Sequence, residues 1–332
     1  MSIRIAVLGA GIMGTDHARI VAQDIPGAVL QIVCDAAAAR ARHVADTYGA
    51  VDIADDPLAV IARPDVDAVL IASPDQTHAP LTLAAIAAGK PVLCEKPLAP
   101  TTAECLEVIA AETRSGRRSV QLGFMRRFDP SYAEMKAALT GGLLGRATMM
   151  HNFHRNVEAP ANFTGTMAIT NSAPHEFDVA RYLLGEDYVA VSVFQPAGAG
   201  TGGAVFLVLE TTGGQLVNIE INNNAAYGYD VRSELVGEQG SVHLTAPVHA
   251  QFNLALQSFH RYPPDWRPRF AEAYRLQNRA WVESIRTGVP SPIAANVWDG
   301  YCATRIAEAG VQALAEKRRI TLEPTEIPAL YR

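Results

Sequence analysis

Long apolar runs are missing from this 332-residue chain. No stretch approaches the roughly eighteen residues needed to cross a bilayer, and no charged and then apolar leader precedes the first strand-like run, so a cytoplasmic protein without membrane contact is expected. Cysteine is sparse as well. Cys34, Cys94, Cys105 and Cys302 are scattered without a C-x-x-C pair, which excludes a disulfide framework or a thiolate metal site and points to reduced core thiols. An excess of positive charge is also absent: the net charge is −6 and the pI near 5.9, so there is no electrostatic footprint for nucleic acid or an anionic membrane. Lysine is scarce among the 28 basic residues, only Lys90, Lys96, Lys136 and Lys317, so a lysine among buried strands carries information. Internal repeats and low-complexity linkers are lacking too. What is present, 49% hydrophobic and 19% charged residues, suffices for a large core and two domains.

The chain is organised around Ile3 to Gly14, IRIAVLGAGIMG. An apolar, β-rich run of the kind buried on both faces of a parallel sheet leads directly into Gly9, Gly11 and Gly14, spaced G-x-G-x-x-G, and helical character follows to Ala22. Gly9 permits a tight turn, Gly11 lets the backbone approach a pyrophosphate, and Gly14 lets the helix pack closely on the strand; Ile12 and Met13 complete the loop. On its own, the spacing also fits a plain glycine-rich turn. The second apolar run, Val29 to Cys34, ends in Asp35, twenty-one residues after Gly14, where a carboxylate accepts from both ribose hydroxyls and repels a 2′-phosphate. A solvated strand end or helix N-cap is the other reading of Asp35. Residues 36 to 39 are all Ala, with no Arg directly after, so NAD is favoured over NADP.

The alternation continues with helices over about 36–48 and 57–62, a short piece near Val51, and DAVLIAS at 67–73. This predicts a doubly wound parallel sheet. Ligands sit at the carboxyl ends of such strands, so Ser73, Pro74 and His78 border the cofactor, although His78 also reads as a structural residue near a helix start. KPVLCEKPLA at 90–99 gives another buried strand with Glu95, Lys96 and Pro97 at its tip. An ammonium there can orient a substrate hydroxyl and stabilise an alkoxide, and Glu95 can reach a ribose hydroxyl or pair with Lys96. An exposed turn with an ion pair is the alternative. A helix at 101–115 and a strand at 119–124 complete the first sheet, which puts the domains at 1–123 and 124–332.

Beyond 123 the pattern changes to a helix at 131–140 and strand-like runs at 146–154, 188–195, 203–210, 215–222, 228–236 and 241–244, broken by turns such as GAGTGG and TTGGQ. That predicts an α+β domain with a large, mainly antiparallel open sheet, read as a meander. One face of such a sheet is available to a partner subunit, so a homo-oligomer is expected. Arg126, Arg127, His151, His154, Arg155 and Asn156 collect polar groups near strand ends, an assortment that suits the directional hydrogen bonds of a sugar or cyclitol but that the surface of a sheet would also show. His151 and His154, three apart, would lie on opposite faces of a strand, which argues against a shared metal. In ITNSAPHEFDVARYLLG, 169–185, a helix is expected from Asn171 or Ser172 to Gly185, with Asn171 and His175 on one face; an N-cap and a buried helix histidine are the alternative reading. Two helices, about 268–287 and 298–317, and a short strand at 319–322 close the chain.

GAGIMG, Asp35, EKP and HEFD together resemble the Gfo/Idh/MocA oxidoreductases over nearly the whole chain, and GFMRRFDPSY, HRN and YGYDVRSELVGE resemble their inositol 2-dehydrogenase branch. The resemblance implies an NAD-dependent dehydrogenase acting on a ring hydroxyl of an inositol or similar sugar. It implies Lys96 as the active-site lysine, a cis bond before Pro97, His175 as general base, Tyr229 as a substrate contact for which Tyr227 competes, and assembly into dimers or tetramers. The family pattern pairs the base with Asp, but here that position holds Asn171. A neutral amide can orient the imidazole without stabilising its charge. An epimerase or lyase that retains NAD, and a non-catalytic dinucleotide sensor, are the competing functions.

Overall fold

The structure, a computed structural model, describes residues 2–160, 163, 165–198, 204–245 and 250–332. The chain divides into two compact units, one of residues 1–128, 272–304 and 326–332, the other of residues 129–271 and 305–325. The first unit thus extends past Gly123 and takes up two later segments, which a single cut in the sequence does not express.

In the first unit, strands β1 (Ile3–Leu8), β2 (Ala28–Cys34), β3 (Asp52–Ala54), β4 (Ala68–Ile71), β5 (Val92–Cys94) and β6 (Val120–Leu122) alternate with helices α1 (Ile12–Gln23), α2 (Ala38–Tyr48), α3 (Pro57–Ala62), α4 (His78–Ala87) and α5 (Thr102–Ser115). The strands form one parallel sheet in the order β3-β2-β1-β4-β5-β6. Helices cover both faces, so Ile5, Val7, Val69, Leu70 and Leu93 are all buried and the strands read as continuous apolar runs rather than alternating ones. The chain winds outward from β1 to β3 and then returns to β4. The reversal opens a crevice at the carboxyl ends of β1 and β4, where a doubly wound sheet binds its ligand. Val297, Trp298 and Tyr301 join the core beside Leu98, Leu122 and Phe124, which explains why residues 272–304 belong here. Cys34, Cys94 and Cys105 are buried free thiols, as expected, and burial pushes the Cys34 thiol up to about 12.

The second unit contains α6 (Pro130–Thr140), β7 (Ala147–Arg155), α7 (Pro174–Leu184), β8 (Tyr188–Phe194), β9 (Val205–Thr211), β10 (Leu216–Asn222), β11 (Asp230–Gly237) and β12 (Ser241–His243). Strands β13 (Gln251–Leu254) and β14 (Gln257–His260) form a separate hairpin; α8 (Trp266–Thr287) and α9 (Val297–Glu316) contribute to both units, and β15 (Ile320–Thr321) is the last strand. The large sheet runs β12-β11-β7-β10-β9-β8-β15. It is mainly antiparallel, but it is not a meander: β7 lies between β10 and β11 and pairs parallel with β10. The segment after β10 passes the end of β7, where Asn156 N–H donates to Asn222 O at 2.9 Å and Ala225 N–H donates to Asn156 O at 2.8 Å. Turn glycines identify strands that are neighbours in sequence, as TTGGQ does for β9 and β10, and are silent about a strand inserted from farther back. GAGTGG lies outside the described residues except for Gly198. One face buries Val217, Ile219, Ile221, Leu207 and Leu209; the other leaves Phe194, Phe206, Leu216 and Met149 exposed. Among the described residues no helix is long and apolar enough to cross a membrane.

Candidate active site

The crevice of the first unit begins with three glycines, two of which the packing itself requires. Gly9 has φ +103°, and a Cβ there would lie 2.4 Å from Ala72 O; a Cβ on Gly14 would lie 1.8 Å from Gly9 O. Both therefore serve the strand-to-helix packing. A Cβ on Gly11 would meet nothing within 4 Å, so the fold leaves open space there, as the close approach of a dinucleotide to the backbone requires. Gly11 is also the N-cap of α1 without a side-chain cap, which leaves the first helical amides, next to exposed Ile12 and half-buried Met13, open to an anion.

Asp35 stands at the tip of β2. Its Oδ2 accepts from Ala10 N–H at 2.8 Å, and its Oδ1 accepts from Ala37 N–H and from Arg40 Nη2, each at 2.8 Å. Burial raises its pKa, but Arg40 and the two amides outweigh that and hold the carboxyl below its usual range. It is an anion at neutral pH. Arg40 is the residue that the sequence reading missed: it lies one position beyond the four alanines, and the first turn of α2 brings it back onto Asp35 while its side chain stays 62% exposed. These groups fit a dinucleotide with free ribose hydroxyls. They also set a cation, Arg40, directly on the carboxylate that would face the ribose.

Ser73 and Pro74 follow β4, and Glu95, Lys96 and Pro97 follow β5, with the Lys96–Pro97 bond cis as expected. Glu95 is buried; its Oε1 is 2.8 Å from His17 Nε2, and its Oε2 accepts from Lys96 N–H at 3.3 Å. Asn278 Nδ2 is 2.8 Å from His17 Nδ1, so a neutral ring protonated on Nε2 satisfies both contacts. Glu95 is thus held by His17 on α1, a partner no motif announced. A Cβ at Gly123 would lie within 2.8 Å of the Glu95 carboxyl, which explains the glycine there. His78 spends both ring nitrogens on main-chain oxygens and does not offer them to a cofactor. Arg126 and Arg127 lie buried in a 3₁₀ turn, Met125–Phe128, with Arg127 3.1 Å from Asp299.

In the second unit the expected regular helix from Asn171 onward is not what the chain adopts. Ala168–Ser172 is a π-helical turn, closed by Ala173 N–H donating to Ala168 O at 3.0 Å. Pro174 has no N–H to donate to Thr170 O, so the ladder slips by one residue before α7 starts. Asn171 therefore sits in a widened turn, with its Oδ1 accepting from Thr170 Oγ1 at 2.7 Å, and His175 is the second residue of α7. Neither is the helix N-cap.

Next to His175, Glu176 is fully buried, and both its oxygens are 3.0 Å from His154 Nδ1. His154 Nε2 is 3.3 Å from Asn156 Nδ2, which also bonds Asn223 Oδ1, and Ser172 Oγ reaches the same Asn223 oxygen at 3.3 Å. Tyr229 is 3% exposed and meets the His154 ring edge-on at 6.4 Å. Tyr227 is 51% exposed, with its hydroxyl between Arg155 and Asp230, so of the two tyrosines it is Tyr229 that stands with His154. His151 bonds Asn218 on the other face of β7, as the spacing of three predicts, and Arg155 pairs with Glu220. His154, Asn156, Ser172, Glu176, Asn223 and Tyr229 form one polar cluster around the start of α7. Glu176 and Asn223 were not legible in the sequence, because they join it through pairings 22 and 51 residues apart that no spacing rule covers.

Residues 3–124 match the model of an oxidoreductase family's NAD-binding Rossmann fold, and residues 136–322 that family's C-terminal alpha/beta domain. The chain is similar to an inositol 2-dehydrogenase of Saccharopolyspora erythraea, 45% identical over all of this chain and 99% of that protein, and to one of Streptomyces avermitilis, 43% identical over 98% and 96%. A solved myo-inositol dehydrogenase from Lactobacillus casei, in complex with NAD(H) and myo-inositol, superposes with a TM-score of 0.95 at 25% identity, covering all of both chains. A glycine loop that leaves space only over Gly11, an anionic Asp35, and a buried polar cluster beside His175 thus occur in a chain matched along nearly its full length, and the chain belongs to the Gfo/Idh/MocA oxidoreductase family.

Proposed function

We propose that this protein is an NAD-dependent dehydrogenase that oxidises a ring hydroxyl of an inositol, myo- or scyllo-inositol or a close sugar analogue, to the ketone. The observation that carries this reading is the 45% identity to an inositol 2-dehydrogenase over the whole chain, together with the presence of Lys96 and His175. Oxidation removes a hydride from the ring carbon and a proton from its oxygen. Bound NAD supplies the carbon that accepts the hydride. Gly11 and the amides of α1 hold the pyrophosphate, and Asp35 accepts from the ribose hydroxyls. The Lys96 ammonium stabilises the developing alkoxide, and His175 takes the proton. Asn171 carries no charge, so it orients the ring without stabilising the imidazolium as a carboxylate in its place would. His154, Asn156 and Tyr229 give the directional contacts that a polyol requires.

The exposed apolar residues on the open face of the large sheet, Phe194, Phe206, Leu216 and Met149, suit burial against a second copy, and we assign assembly, as a homotetramer, to that face. Four free cysteines fit the reducing cytoplasm. A panel of inositols and hexoses with NAD, followed by NADH absorbance, tests the reading. NADH formed in proportion to the ketone supports it, whereas turnover without net NADH would indicate an epimerase or lyase.

A further inference from the structure

His78 has no part in the chemistry above, yet it is buried with both ring nitrogens held. It is 1% exposed at the start of α4, between two segments that border the crevice. Its Nε2 is 2.9 Å from the main-chain oxygen of Ser73, the second residue after β4, and its Nδ1 is 2.6 Å from the main-chain oxygen of Pro97, the residue after Lys96. A carbonyl oxygen can only accept. A neutral imidazole has one N–H, so one of these two contacts would set a ring lone pair against a carbonyl lone pair at hydrogen-bonding distance. Only the imidazolium donates to both.

We propose that His78 is a permanently protonated clamp, a positioning residue that fixes the Lys96 ammonium by tying the oxygen of Pro97 to the end of β4. The proposal rests on the reading of Lys96 as the active-site ammonium. A hydrogen bond on each side of the ring leaves it no rotational freedom, and the Pro97 end of that bridge is one peptide from Lys96. The titratable groups that face the ring are Cys94 on β5, whose Sγ–H donates to Glu95 O at 3.3 Å, and Asp75 in the 3₁₀ turn before α4. Burial by itself favours the neutral ring. Cys94 where it is ionised, the Pro97 oxygen and Asp75 act in the opposite direction and outweigh it, raising the His78 pKa to about 10.

The sign of the linkage follows. A histidine whose folded pKa lies above its unfolded value of about 6.5 contributes stability that is fully present below that pH and is lost as pH rises through about 10. Within that window His78 alone weakens the folding equilibrium constant by up to about tenfold per pH unit. A histidine that merely fills space would contribute no such slope.

Two measurements test the clamp. In wild-type protein labelled with ¹⁵N-histidine, the His78 ring should show two protonated nitrogens at pH 8, assigned by loss of its signal in His78→Gln or by nuclear Overhauser contacts to Pro97. A singly protonated His78 at that pH overturns the proposal, whatever any variant does. The second is a cycle of His78→Gln, Lys96→Met and the double variant, assayed with NAD and myo-inositol. His78→Gln should lower kcat between about ten- and a hundredfold, with KM changed less than about threefold, and this loss should vanish in the Lys96→Met background. An equal loss in both backgrounds refutes action through Lys96. If Lys96→Met leaves the rate intact, the assignment of Lys96 fails instead, and the ¹⁵N result still decides whether His78 is protonated.

Discussion

Replacing Asp35 by Ala should change cofactor preference in two separable steps. The carboxylate is anionic and held by the Ala10 and Ala37 amides, so its removal costs NAD the acceptor for its ribose hydroxyls. A hydrogen bond to a charged group contributes about 1.5–3 kcal/mol, so NAD affinity should fall about ten- to a hundredfold. The same change releases Arg40, which is 2.8 Å from Asp35 in the native protein, and removes the charge that repels a 2′-phosphate. Because the Arg40 side chain is 62% exposed, the gain for NADP is discounted to about 1.4 kcal/mol, or tenfold. The ratio of NAD to NADP preference should then shrink by about a hundred- to a thousandfold. Dissociation constants for both dinucleotides, measured by protein fluorescence in wild type, Asp35→Ala and Asp35→Ala/Arg40→Ala, separate the two steps: the NAD loss should persist in the double variant and the NADP gain should disappear. Because the Asp35 carboxyl is held below its usual range, the wild-type affinity for NAD should stay flat as pH falls from 8 towards about 5. Unchanged NAD affinity in Asp35→Ala would refute the role of the carboxylate, and an NADP gain that survives loss of Arg40 would refute the role of the guanidinium.

Gly11 and Gly14 should respond oppositely to alanine. Gly11→Ala, with nothing within 4 Å of the new Cβ, should keep Tm while weakening NAD, whereas Gly14→Ala, 1.8 Å from Gly9 O, should lower Tm by about 5–10 °C; calorimetry and NAD titration of both variants check the contrast. Glu176→Gln should turn the His154 ring, because an amide nitrogen can donate to Nδ1 where a carboxylate could only accept. Activity on myo-inositol should drop about tenfold or more, with the ¹⁵N signals of His154 reporting the change of tautomer. Asn171→Asp should move the acidic limb of kcat/KM upward by roughly one to three pH units, since a carboxylate near His175 stabilises the imidazolium; a limb that stays in place would mean that His175 is not the base.

The parts of this fold that can be read from the sequence are those with a local signature. The glycine spacing, the apolar runs of β1 and β2 and the position of Asp35 place the cofactor crevice, because each depends on residues a turn or two apart. Lys96 stood out by the scarcity of lysine. Three of the misreadings share one cause, that distant pairing leaves no local mark. β7 enters between β10 and β11 from sixty residues away, Glu95 is claimed by His17 across the first sheet, and Glu176 reaches His154 from the neighbouring helix. Arg40 lies just beyond the four alanines that follow Asp35, and only the turn of α2 brings it back. The π-helical turn at Ala168–Ser172 does have a local cause in Pro174, but helical periodicity alone does not say whether a proline starts a helix or displaces the one before it. Likewise the amphipathic pattern of α8 and α9 marks two helices without saying which unit each half completes.

The central claim, oxidation of an inositol with NAD as the hydride acceptor, is tested most directly by incubating the protein with NAD and myo- or scyllo-inositol and quantifying NADH and cyclic ketone together, alongside Lys96→Met and His175→Ala. The account predicts equal amounts of both products from the wild type, and rates at least about a hundredfold lower in each variant with NAD binding retained. A wild-type protein that binds NAD but oxidises no polyol, or variants that keep the wild-type rate, would contradict it.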